Sequence, residues 1–118
     1  MKINILGTSY EVVRKKFSEE PEFERRSICG YCDSLTKQIV ICKMDTFPEW
    51  ENEPPERCKA HEKHCIRHEI VHAFFNESGL MDSSFDYEGP WARNEEMVDW
   101  LACQGPKIYE AWKQGGGI

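Results

Sequence analysis

The first third of the chain is patterned with a period of two. "KINIL" (residues 2–6) and "SYEVVR" (9–14) alternate or run apolar and β-branched, which predicts one interrupted strand, or two strands parted at Gly7. "KKFSEEPEFERR" breaks the pattern with polar residues and Pro21, and reads as a loop or short helix. Residues 27–33 and 37–43 then fit two more strands joined through "DSLT", with Asp33 and Ser34 as turn formers. "DTFPEWENEPP" is an acidic, proline-rich loop. A long helix is expected from Pro55 or Glu56, since proline suits a first helical turn, to about Ser78, with Gly79 as a left-handed cap. After the loop "GLMDSSFDYEG", Pro90 opens a helix through Trp91 to Cys103 that ends at Gly105. Pro106 opens a last short helix that stops at Gly115, and the tail 115–118 is expected to fray. Trp91, Trp100 and Trp112 fall on amphipathic helices and are expected in the core. Strands first and helices later give an α+β class: a small sheet of three or four strands, a long helix, and two further helices. No repeat or linker divides the 118 residues, so one domain is expected over 1–118.

Composition narrows the partners. Apolar residues make up 40% and charged residues 31%, a balance that suits a water-exposed globular surface. No apolar run approaches the roughly 20 residues of a membrane helix, so no membrane association is expected. The first residues lack the pattern of a secretory leader, which points to the cytoplasm. Net charge is −6 with no basic face in view, so no nucleic-acid partner is expected.

Six cysteines are many for this length. Without an export signal they read as thiols or metal ligands rather than disulfides. "CGYC" places Cys29 and Cys32 at the gap of half a zinc knuckle, and Cys58 with His61 repeats that gap.

The strongest chemical signal lies in the long helix, in "CIRHEIVHAFF" (65–75). His68 and His72 stand four apart, so they share one helix face about 5–6 Å apart at Cβ and can point two imidazoles at one ion. Glu69 sits about 100° round the helix, beside that ion and free to act as a general base. The flanking Ile66, Ile70, Val71, Ala73, Phe74 and Phe75 would partly bury these polar groups, which then need partners. A catalytic zinc usually takes three protein ligands and keeps one position for water. The later stretch "NEEMVDW" offers the third: Glu95, with Asp99 one turn on to orient a ligand histidine; Glu96 lies on a different face. His64 and Cys65 flank the same face as a solvated histidine and a packed thiol, or as neighbours of the metal. Tyr87, Arg93 and His64 are candidate oxyanion donors.

H-E-x-x-H followed on a later helix by N-E-x-x-x-D resembles the glutamate-liganded zincins. The short form resembles the ImmA/IrrE-like metallopeptidases and small proteins of Firmicute phages and prophages. The match is specific at the zinc motif and loose elsewhere over residues 27–103, with Val98 and Asp99 departing from the family pattern. The resemblance implies a minimal zincin-like fold and Zn²⁺ held by His68, His72 and Glu95. It also implies Glu69 as general base and a peptide or protein substrate lying along an edge strand, for which Lys37–Lys43 is the candidate. Two other readings stand beside it. One is a zincin fold used as a phage accessory binding protein with a structural or vestigial zinc. The other is a Cys/His module built from Cys29, Cys32 and two of Cys42, Cys58, His61 and Cys65.

Overall fold

The computed structural model describes residues 1–82 and 95–118, except for the side chains of residues 95, 98, 99 and 102. The chain is α+β. Strands β1 (Lys2–Ile5) and β2 (Thr8–Lys15) form a hairpin. Its two turn residues, Leu6 and Gly7, both have positive φ, and Asn4 Oδ1 accepts the Gly7 amide at 2.7 Å. This is the tight hairpin turn that glycine permits. A short helix α1 (Pro21–Arg25) follows, then strands β3 (Gly30–Asp33) and β4 (Gln38–Cys42). Asp33 Oδ1 accepts the amides of Leu35 and Thr36 and closes the turn between them. The sheet order is β1-β2-β4-β3, with β2 and β4 parallel and the other pairs antiparallel.

Helix α2 (Pro55–Glu77) begins at Pro55 and ends where Gly79 takes φ +79°, so both of its expected boundaries hold. It packs on one face of the sheet. Ile3, Ile5, Tyr10, Val12, Ile39 and Ile41 meet its Ile66, Ile70, Ala73 and Phe74. Helix α3 (Glu95–Gln114) runs antiparallel against α2: Trp100 stacks edge-on to Phe75, and the Trp112 indole donates to Arg67 O at 3.1 Å. On the other side of β4, Val40 and Cys42 join Phe23, Met44 and Cys58 in a second, smaller core.

Three expectations fail here. The stretch Lys37–Lys43 is not an edge. Its strand, β4, lies between β2 and β3, and its run "IVIC" is buried on both faces, as an interior strand requires. The edge strand beside α2 is β3. Pro106 does not open a separate helix either; it sits inside α3. A proline there removes one backbone bond, but Trp100 before it and Ile108 and Ala111 after it are anchored to the same core, which carries the helix through. Pro90 and Trp91, expected to start that helix, lie outside the described residues. The glycine tail expected to fray lies against α2. Gly115 and Gly117 are buried, and Arg67 Nη1 donates to Gly117 O at 2.7 Å. A Cβ on Gly115 would stand 3.0 Å from Ile70 Cδ1, so the approach depends on glycine. Among the described residues, no helix is long and apolar enough to cross a membrane.

Candidate functional site

Helix periodicity gives α2 two adjacent stripes of chemistry-bearing side chains. His61, Cys65 and Glu69, four apart, turn toward the sheet; Cys65 and Glu69 are buried. His64, His68 and His72 follow one residue out of step; His64 and His68 are exposed and His72 is half-buried. Gly30 at the start of β3 allows the strand to lie close to α2. A Cβ there would meet Ile41 Cδ1 at 3.1 Å, Val40 O at 3.2 Å and Glu69 Cγ at 3.6 Å.

Between β3 and α2 opens a pocket of about 460 Å³. His68, Glu69 and His72 line it from the helix; Gly30, Tyr31 and Cys32 line it from the strand; Arg26 and Asn76 stand at its sides. The Nε2 atoms of His68 and His72 are 3.1 Å apart. Two nitrogens on one tetrahedral zinc, at bond lengths of about 2.05 Å, would stand roughly 3.3 Å apart. The pair therefore fits as two donors to one ion, and the same spacing equally suits a proton shared between the rings. Burial, and then the neighbouring His68, push the His72 imidazole toward its neutral form, which is the form that binds metal. Glu69 is only 8% exposed. Burial raises its carboxyl to about 7, with a further push from a thiolate at Cys29 and an opposing pull from Arg26. Cys32 is raised to about 12 by burial and then by the Glu69 charge, so it is a protonated thiol in the pocket wall.

One helical turn before Glu69, a different group converges. Cys29 Sγ lies 2.9 Å from Cys65 Sγ and 3.5 Å from His61 Nε2, and the three ligand atoms are all within 4.8 Å of one another. These residues could hold a metal ion. The pair of thiols shares its protons unequally. Cys29 is drawn down to about 5, first by the hydrogen bond from Cys65 and then, against the cost of burial, by His61. Cys65 is pushed up by the same bond and by burial. Cys29 is thus the thiolate and Cys65 the donor. The His61 ring stacks on Trp50 with centroids 4.6 Å apart, and the Arg57 guanidinium lies over the other ring system at 5.5 Å.

The positions expected from sequence sort as follows. His68, Glu69 and His72 share one pocket. Glu95 is the first residue of α3, and its side chain lies outside the description, as do the side chain of Asp99 and all of Tyr87 and Arg93. His64 faces solvent, its ring 6.0 Å from that of His61, and it does not line the pocket. The "CGYC" knuckle does not act as a unit. Cys29 joins His61 and Cys65, whereas Cys32, three residues on, accepts from Asn76 at 3.9 Å in the pocket wall. Extended backbone carries residues 29 and 32 about 10 Å apart, so that Cys29 meets α2 at Cys65 and Cys32 meets it further along at Asn76, which breaks the chelating loop a knuckle needs. Cys58 is packed in the smaller core and Cys42 donates to Lys43 O. Sequence missed Arg26 and Tyr31 as pocket residues, since no spacing links them to α2, and missed Asn76, although it follows His72 by four on the same helix. No protein family matches the chain, and no curated protein and no solved structure matches it either.

Proposed function

We propose that the pocket over His68, Glu69 and His72 is the active site of a zinc-dependent metallopeptidase of the ImmA/IrrE-like, glutamate-liganded type. The observation that carries this reading is the 3.1 Å convergence of two imidazoles in an open pocket, with a buried carboxylate beside them. His68 and His72 would supply two donors to zinc, and Glu95 would be the third. Zinc held there contributes a Lewis acid and an acidified water. Glu69 takes the proton from the attacking water and passes it to the leaving amine. Its low exposure suits this shuttle, because a buried carboxyl accepts and releases a proton near neutral pH. The substrate is an extended peptide laid along the outer edge of β3, whose backbone pairs only with β4 among the described residues. Six free thiols suit a reducing compartment, so we place the chain in the cytoplasm.

The test uses the full chain loaded with zinc, incubated with an unfolded protein and with a mixed peptide library, and read by mass spectrometry. Cleavage is expected from the native chain. Glu69→Gln should keep its metal and lose cleavage; His72→Ala should lose both cleavage and the ion at this pocket. A zinc-loaded native chain that cleaves nothing would sink the peptidase and favour a binding protein built on the same fold, and cleavage that survives Glu69→Gln would remove Glu69 from the chemistry and sink the proposed site.

A further inference from the structure

The His68–His72 pocket leaves a second donor set unused. Cys29, His61 and Cys65 arrive from two elements, the residue before β3 and two successive turns of α2. Each is held in place by something other than the group itself. The Cys42 amide donates to Cys29 O at 2.8 Å, which fixes the Cys29 backbone at the start of the strand. Cys65 is 5% exposed and locked in the main core. Trp50 stacks on His61 and sets its ring plane. Cys29 and His61 are only half-buried, so an ion has a way in.

The distances suit a tetrahedral ion. With metal–sulfur bonds of about 2.3 Å and metal–nitrogen bonds of about 2.05 Å, a sulfur and a nitrogen ligand stand roughly 3.6 Å apart, and two sulfurs roughly 3.8 Å. Cys29 Sγ and His61 Nε2 are already at 3.5 Å. The two sulfurs, now at 2.9 Å, need only open by about 0.9 Å. Two thiolates and an imidazole form a soft donor set, which selects a thiophilic d10 cation over magnesium or calcium. Three protein donors leave a fourth position for water or an added thiol. We infer that Cys29, His61 and Cys65 form a second metal centre for a cation such as Zn²⁺, which clamps the β3 edge to α2 one helical turn from the His68–His72 pair. This inference does not rest on the peptidase reading; the centre would exist in an inactive protein as well. Metal binding requires both thiols as thiolates and releases their protons to solvent, so uptake weakens as pH falls.

The experiment is titration of the reduced, metal-free full chain with Co²⁺ alone, read by absorption. Cobalt bound to thiolates gives an intense sulfur-to-metal band in the near ultraviolet, which imidazole and carboxylate ligands do not give. The native chain should show the band. Cys29→Ala and Cys65→Ala should each lose it, whereas His72→Ala should keep it at full height. Cys65 is buried and its variant could misfold, so half-buried Cys29 is the deciding position, with folding checked by circular dichroism. Zinc should also raise the thermal midpoint of His72→Ala and leave that of the doubly substituted Cys29→Ala/His72→Ala unchanged. A native chain that binds Co²⁺ without the band, or a band that survives in folded Cys29→Ala, overturns the centre. Loss of the band in His72→Ala overturns its independence. Absence of peptide cleavage bears on neither.

Discussion

Two stripes on one helix, offset by a single residue, carry the same kind of side chain and meet different fates. His61, Cys65 and Glu69 face the sheet; His64, His68 and His72 face outward. Both repeat every four residues, and a rotation of about 100° separates them. The inner stripe finds a partner from another element, because Cys29 at the head of β3 reaches Cys65 and His61. Among the described residues, the outer stripe brings together two rings of its own, His68 and His72, at an edge of an open pocket. The difference teaches that donor spacing on a helix places two ligands and is silent about what joins them from elsewhere in the chain; for the inner stripe that is what the strand brings across.

The largest expected effect falls on the boundary between the stripes. Glu69 belongs to the inner stripe by position and to the outer pocket by reach. Replacing it with glutamine should cut peptide cleavage by about 10²–10⁴-fold, the usual worth of a general base, without changing the cobalt band of the cysteine centre. A band that changed as well would mean the two centres are one.

Next is the packing that holds both stripes in phase. Ile70 is fully buried between α2, the sheet and α3, so Ile70→Ala should cost about 2–5 kcal/mol in denaturant unfolding. Since Ile70 carries no donor atom, zinc stoichiometry at saturation should not change. A smaller effect is expected at Gly30, where strand and helix come closest. Gly30→Ala would press a Cβ on Ile41 and on Val40 O, at a cost of about 1–3 kcal/mol. It should widen the gap that the inner centre spans, and so weaken Co²⁺ uptake there more than at His72.

The smallest effect is electrostatic and remote from both stripes. Glu77, at the end of α2, accepts from Lys37 at 2.5 Å, Tyr10 at 2.7 Å and Thr8 at 3.0 Å. The Lys37 bond, and then those from Tyr10 and Thr8, hold its carboxyl below the usual value of 4.5. A lowered carboxyl stabilises the fold at pH above the unfolded value, and that contribution disappears as pH falls through the folded one. Urea midpoints measured from neutral pH down to about pH 3 should therefore decline more steeply for the native chain than for Glu77→Gln. Equal slopes would show that the contact contributes nothing to stability. The partly exposed Lys37 keeps the expected difference small.

Much of the fold is legible in the chain because its signals are local. The break at Gly7, the turn at Asp33 and the two ends of α2 each depend on residues within a few positions. The H-E-x-x-H pairing is legible for the same reason, since a helix alone brings His68 and His72 together. Pro106 misleads because its local cost is outweighed by Ile108 and Ala111, whose anchoring comes from α2 and the sheet. The Cys/His module read around "CGYC" holds in part: Cys29 joins His61 and Cys65, whereas Cys32, carried away along β3, does not.

What the sequence determined by itself, then, is the run of strands, the extent of α2 and the spacing of donors along it. Each follows from backbone preference and periodicity over short range. What only the tertiary structure decided is that β4 is interior and β3 is the edge, and that Cys29 meets His61 and Cys65 rather than Cys32. The pairing of β2 with β4 joins residues 27 positions apart, and Cys29 reaches His61 and Cys65 across 32 and 36 positions; no local pattern encodes which apolar face will close over which.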